Sequence, residues 1–305
     1  MGQFIDGAAH SALLHERTKE RVRATARRLG RPPRLDVIIV GDDPASRSYV
    51  STKARQAAET GIDGRLVELH ATIAEAELIA RIDELNRDLN VDGILVQLPL
   101  PAHIDAGVIL ERIDPNKDVD GFHPVNAGRL AIAARVDLDR FLIPCTPLGC
   151  LLMLRQTLGA DGLAGRVAIV IGRSNIVGKP MARLLAASDC TVILAHSATR
   201  NLPEFSRMAD ILVVAVGRPE MVRGDWVKPG ATVIDVGINR VPAPGGKTKL
   251  VGDVLTAEAL ERAAFVTPVP GGVGRMTVAC LLHNTVAAAE RRMRLGALDA
   301  ERISA

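Results

Sequence analysis

Short runs of mostly β-branched residues, apolar almost end to end, alternate with helical patterns along nearly the whole 305-residue chain. A first series reads "LDVIIV" (35–40), "RLVEL" (65–69) and "GILVQ" (93–97). A second reads "RVAIVI" (166–171), "TVILAH" (191–196), "DILVVAV" (210–216) and "ATVIDVG" (231–237). Strands of this kind are buried on both faces, and helices between them impose parallel crossovers. The pattern predicts an α/β fold of two lobes around a cleft, each lobe with a parallel sheet. The break falls at "IPCTPLG" (143–149), where two prolines interrupt the helical pattern. A glycine-rich turn then leads into a last amphipathic helix over 276–295. Ligands of open α/β sheets sit beyond the carboxyl ends of strands, so the residues that follow each run are the candidates for chemistry.

Composition narrows the classes of function. A net charge of +3 gives no electrostatic case for nucleic acid. The basic run "RTKERVRATARR" (17–28) lies in a helical pattern and reads as a solvated face. Cys145, Cys150, Cys190 and Cys280 show neither C-x-x-C spacing nor a histidine at metal-ligand distance. Buried, reduced thiols in a cytoplasmic protein are the expectation, with no metal. The start "MGQFIDGAAH" lacks a basic-then-apolar signal region, and no apolar run is long enough to span a membrane.

The loop inside "VAIVIGRSNIVGKP" (167–180) joins a strand to a helix whose free N–H groups favour an anion. As a P-loop it fails, because Gly172 and Gly178 are one residue too far apart and Pro180 replaces the Mg²⁺-binding hydroxyl. As G-x-G-x-x-G it fails at Ser174. The next strand ends in "HSATR" (196–200) with no carboxylate to meet ribose hydroxyls. Arg173, Ser197 and their neighbours instead suit the 2′-phosphate of NADP, the alternative being a helix cap with a surface arginine.

In the first lobe, Tyr49 and Lys53 stand four residues apart on one helical face. Gln97 closes an apolar strand just before prolines that prevent a helix. Asp114, Asp118 and Asp120 cluster in "IDPNKDVDGFHPVN" (113–126) without calcium-loop spacing. Asp114 and Asp118 read as turn formers, whereas Asp120 could present its carboxylate to a substrate.

"SYVSTK", "VQLPLP", "KDVDGFHP", "PCTP", "GRSNIVGKPMA", "VIDVGIN" and "TPVPGGVG" occur in this order across nearly the whole chain. The set resembles the bifunctional methylenetetrahydrofolate dehydrogenase/cyclohydrolase family. The resemblance implies NADP-dependent oxidation of 5,10-methylene- to 5,10-methenyltetrahydrofolate, then hydrolysis to 10-formyltetrahydrofolate. It implies a homodimer, a folate domain over 1–145 and 276–305, and a Rossmann-like NADP domain over 146–275. It makes Lys53 the catalytic lysine, Tyr49 its neighbour along the folate ring, Gln97 the lysine's hydrogen-bond partner and Asp120 the acid that holds the pterin, with Leu98 beside them. Pro270, Gly271 and Gly272 match the loop over substrate; Thr146, Gly172, Arg173, Ser174, Ile176, Ser197 and Ile238 match cofactor positions. One departure stands out: the family reads P-G-G-V-G-P-M-T, and here Arg275 replaces the second proline. It reads as facing solvent, or else as binding the folate's glutamate tail.

Burial and a cationic product should favour the neutral amine of Lys53, which could then move protons during hydrolysis. The alternatives are a monofunctional dehydrogenase of the same family, another two-lobed dehydrogenase acting on a small carboxylic acid, and a non-catalytic nucleotide-binding regulator.

Overall fold

The computed structural model describes residues 1–159 and 161–303, with side chains described for all of these except 44–49 and 296–303. The chain divides into two compact units. One comprises Met1–Ala12, Leu130–Val136 and Pro144–Cys280; the other comprises Leu13–Arg129, Asp137–Ile143 and Leu281–Ala305.

A two-residue strand, β1 (Gln3–Phe4), precedes a long helix, α1 (Gly7–Leu29). Then β2 (Arg34–Val40), α2 (Pro44–Thr60), β3 (Asp63–Leu69), α3 (Glu75–Arg87) and β4 (Gly93–Val96) form a parallel sheet in the order β3-β2-β4. β2 is central, and Leu35 to Val40 are all buried, as its uninterrupted apolar run requires. Ile38, Val40, Ile94 and Val96 pack with Leu78, Ile82 and Leu85 of α3. β3 departs from the expectation of a buried strand, because Gly64, Arg65, Leu66 and Glu68 are exposed. Among the described residues it pairs only with β2, and a charged edge strand is also one that resists pairing with another chain. α4 (Ala106–Arg112) and α5 (Pro124–Ile132) follow.

The second series opens on α6 (Cys145–Leu158). The segment expected as a helix-breaking junction is therefore a helix start. Pro144 is its N-cap and Pro147 lies in its first turn, where a missing N–H breaks no helical hydrogen bond. Next come β5 (Val167–Ile171), α7 (Gly178–Ala186), β6 (Thr191–Ala195), α8 (Leu202–Ser206), β7 (Ile211–Val214) and β8 (Thr232–Asp235). An antiparallel hairpin of β9 (Asn239–Ala243) and β10 (Lys247–Val251) precedes α9 (Thr256–Arg262), β11 (Phe265–Val266) and α10 (Val273–Ile303). The large sheet runs β1-β11-β8-β7-β5-β6, parallel throughout. Ile169, Ile171, Leu212, Val214 and Val233 form its core with Val254, Ala259 and Val266.

Two expectations about side chains divide. Arg17, Arg23, Arg27 and Arg28 of α1 are exposed, as a solvated face would be. Arg21 is not part of it: its guanidinium holds Glu290 of α10 at 2.8 Å and Asp139 at 2.5 Å. All four cysteines are free thiols. Cys145, Cys150 and Cys280 are buried as expected, whereas Cys190 is only half-buried; burial pushes the Cys150 thiol up to about 12 and Cys190 up to about 11, which favours the protonated form of both.

Candidate active site

In the three-stranded unit, α2 carries Lys53, and Gln97 is the first residue beyond β4. The Lys53 side chain, 5% exposed, donates from Nζ to Gln97 Oε1 at 2.9 Å. Gln97 Nε2 in turn donates to the Leu98 carbonyl at 2.6 Å. The amide is thereby oriented, since a flip would set two donors against each other. Leu98 follows half-buried, and the Leu98–Pro99 peptide is cis. Tyr49 lies on α2, but its side chain is outside the described residues.

Asp120, half-buried, belongs to a segment that runs beside β4, where Ile94 N donates to Lys117 O at 2.8 Å. Buried polar side chains pin this segment. Lys117, 2% exposed, caps the end of α3 by donating from Nζ to the carbonyls of Leu85, Asn86 and Asp88 at 2.8, 2.8 and 2.7 Å. Asp118 is no simple turn former: its buried carboxylate accepts from the Phe122 and His123 N–H groups and from Asn126 Nδ2. Asp114 does form the expected turn, accepting from Asn116 N at 2.8 Å. From α10, Asn284 Nδ2 donates to Val119 O and Ile143 O, both at 2.8 Å.

Burial lowers the Lys117 ammonium from 10.5 to about 8. Between those values the unfolded chain binds this proton and the folded chain releases it, so stability owed to Lys117 rises with pH in that window. The unfolding free energy of the wild type minus that of Lys117→Met, measured in urea from pH ~8 to ~10.5, should therefore increase with pH. A flat difference would contradict this.

In the six-stranded unit the strands are parallel, so the residues after β5, β6, β7, β8 and β11 gather at one end of the sheet. Gly172, directly after β5, has φ +122°, and a Cβ there would collide with Ala215 O. Ser174 Oγ accepts from Val177 N at 3.1 Å and Gly178 N at 3.4 Å, so the hydroxyl closes the loop into α7. Ile171 pairs with Ala195, and two residues beyond this register pair stand Arg173 and Ser197, both exposed. Ile176 is exposed, and Thr146 on α6 meets Thr277 Oγ1 at 3.3 Å.

After β8 and β11, Ile238, Pro270, Gly271 and Gly272 line a cavity of about 270 Å³ with Leu250 and Arg275. Asp235, also in this lining, and Asp253 are buried carboxylates with no counterpart among the sequence-based candidates. Asp235 accepts from Gly237 N at 3.0 Å, Asp253 N at 2.9 Å and Val254 N at 2.9 Å. Asp253 accepts from Val216 N (2.7 Å), Gly217 N (2.9 Å), Arg218 N (2.8 Å) and Asn239 Nδ2 (2.9 Å). The packing is reciprocal: a Cβ at Gly252 would strike the Asp235 carboxylate, and one at Gly237 the Asp253 carboxylate. Burial pushes the Asp235 carboxyl up to about 7, against the pull of its three backbone donors.

Lys53, Gln97, Leu98 and Asp120 lie in one unit, and the cofactor candidates lie in the other together with Pro270, Gly271 and Gly272. Residues 5–120 match the catalytic domain of the tetrahydrofolate dehydrogenase/cyclohydrolase family, and residues 144–293 match its NAD(P)-binding domain. The chain belongs to this family. A bifunctional FolD protein of Azorhizobium caulinodans is 60% identical over 291 residues, covering 95% of this chain and 98% of its own. The crystal structure of the bifunctional FolD enzyme of Campylobacter jejuni has 44% identity and a TM-score of 0.87, over 96% of this chain and all of its own. The FolD of Trypanosoma brucei, solved with NADP cofactor and inhibitor, has 41% identity and a TM-score of 0.88, over 96% and 99%. Lys53, Gln97 and Asp120 fall within the tetrahydrofolate dehydrogenase/cyclohydrolase catalytic-domain match, and Arg173, Ser197 and Ile238 within the NAD(P)-binding match. The α/β fold with a Rossmann-like nucleotide domain agrees with the expectation from the apolar strand pattern.

Proposed function

We propose that the two activities of the family run on this chain through the residues described above. The chain is a 5,10-methylenetetrahydrofolate dehydrogenase and a 5,10-methenyltetrahydrofolate cyclohydrolase of one-carbon metabolism, and it uses NADP. The observation that carries the reading is the match of both family domains along one chain, with relatives as similar as 60% over nearly its full length.

The loop at 172–178 fits a dinucleotide. Gly172 lets backbone approach backbone, and the N-terminus of α7 favours a phosphate. Arg173 and Ser197 would hold the 2′-phosphate, with Ile176, Thr146 and Ile238 along the rest of the cofactor. When bound, NADP supplies the hydride acceptor. The chain's own part in that step is positioning: Asp120 fixes the pterin by accepting from its amino and ring N–H groups, with Tyr49 and Leu98 along the folate.

Hydrolysis of the cationic methenyl bridge needs proton movement. Burial of Lys53 disfavours its ammonium form, as does a neighbouring cation. The neutral amine accepts a proton from the attacking water and passes it to the departing ring nitrogen. Gln97, being uncharged, orients the amine without favouring the ammonium form as a carboxylate would. We also read the enzyme as a cytoplasmic homodimer. Among the described residues no helix is long and apolar enough to cross a membrane.

The function is tested by supplying the purified chain with 5,10-methylenetetrahydrofolate and NADP and measuring both products. The cofactor assignment has its own test. Arg173→Ala should raise KM for NADP about tenfold or more, as expected on losing a charge-assisted phosphate contact, and leave KM for NAD nearly unchanged. Equal weakening of both would contradict it.

A further inference from the structure

We propose that Asn239, Asp235 and Asp253 are positioning residues for hydride transfer, bracing Ile238 as a fixed wall for the nicotinamide ring of the cofactor. This rests on the cofactor reading above and names the end of the dinucleotide that Ile238 meets. One half of the large sheet runs β6-β5-β7-β8. The residues read as phosphate contacts follow β5 and β6. A dinucleotide lies across the carboxyl ends of such a sheet, so its nicotinamide end falls on the other side, beyond β7 and β8. Ile238 stands three residues after β8 and lines the cavity there.

Ile238 is held from both sides. Gly237 N donates to Asp235 Oδ1 at 3.0 Å, and Asn239 Nδ2 donates to Asp253 Oδ1 at 2.9 Å. The two carboxylates are fixed in turn. Asp235 also accepts from Asp253 N and Val254 N, and Asp253 accepts from the N–H groups of Val216, Gly217 and Arg218 beyond β7. Asp235 N donates to Thr267 Oγ1 at 2.8 Å, which ties the same frame to the segment after β11. Both acids are buried, 1% and 0% exposed, whereas Ile238 between their donors is 60% exposed. A β-branched side chain has few χ1 choices, and a Cβ at Gly274 would come within 3.5 Å of Ile238 Cδ1, so the side chain is confined on that side as well. An apolar side chain held this firmly and left open to a cavity offers a steady face to a ring. Hydride transfer is steep in alignment: a misplacement of about 1 Å costs on the order of 10²-fold.

The test uses Asn239→Ala, which leaves Asp253 three backbone donors and so strands no buried charge. Its single-turnover rate of NADPH formation should fall about tenfold or more, while KM for NADP, set mostly by the phosphate contacts, stays within about twofold. Hydrolysis of supplied methenyltetrahydrofolate, which consumes no NADP, should keep its rate. Ile238→Ala should slow the same NADPH step, and adding Asn239→Ala to it should cost little more, because the side chain that Asn239 positions is then gone. Parallel loss of both activities in Asn239→Ala, additive losses in the double variant, or an unchanged rate of NADPH formation would overturn the brace while leaving the cofactor reading in place. A wild type that forms no NADPH would contradict the cofactor reading and the brace with it.

Discussion

Replacing Lys53 by methionine is expected to lower cyclohydrolase turnover by roughly 10²–10⁴-fold while dehydrogenase turnover stays measurable. Methionine keeps much of the length and apolar bulk of the lysine stem but cannot carry a proton. Hydride transfer asks the enzyme mainly for alignment of two reactants, and Lys53 is not needed to supply charge or proton in that step. Addition of water to the methenyl carbon, by contrast, requires a group to take a proton and return it. The variant leaves Gln97 Oε1 without its donor, yet Gln97 Nε2 keeps its bond to Leu98 O, so the amide remains oriented. Methenyltetrahydrofolate should accumulate in step with NADPH. Equal loss of both rates, with folate binding intact, would contradict this division of labour.

Asp253→Ala is expected to destabilise the protein by about 3–5 kcal/mol, because several donors lose one buried, charged acceptor. Asp253 is 0% exposed, and its two oxygens tie Val216, Gly217 and Arg218, just beyond β7, to Asn239, the first residue of β9. A water in the vacated space has two lone pairs and could not accept from all four donors as the carboxylate does. Asp253→Asn keeps one acceptor oxygen and should fall between wild type and Asp253→Ala. Urea unfolding of the three proteins checks the order, and a loss below about 1 kcal/mol in Asp253→Ala would contradict the account.

What could be read from the sequence depended on the range over which each feature acts. β2, β5, β7 and β8 are legible because a strand covered on both faces must be apolar at nearly every position. β1 and β11 have two residues each and carry no periodicity, so only their pairing in the large sheet defines them. β9 and β10 hide behind prolines, lysines and paired glycines that read as loop. Gln97 was visible as a polar residue ending an apolar run, and Lys53 by its spacing from Tyr49. Lys117, Asp118, Asp235 and Asp253 were not recognised as buried anchors. A charge is buried when distant backbone groups converge on it, and no local pattern records the carbonyls at the end of α3 or the N–H groups beyond β7. Asp118 shows the limit most clearly: beside Asp114 it looked like a second turn former, and its partner Asn126 lies eight residues on.

One chain is expected to perform both reactions in sequence. The most direct measurement follows NADPH and methenyltetrahydrofolate absorbance together as the purified enzyme acts on 5,10-methylenetetrahydrofolate and NADP. The account predicts stoichiometric NADPH with little methenyl intermediate in the wild type, as 10-formyltetrahydrofolate forms, and matching rises of both signals in Lys53→Met. NADPH formation with full accumulation of the methenyl compound in the wild type, or no NADPH at all, would contradict it.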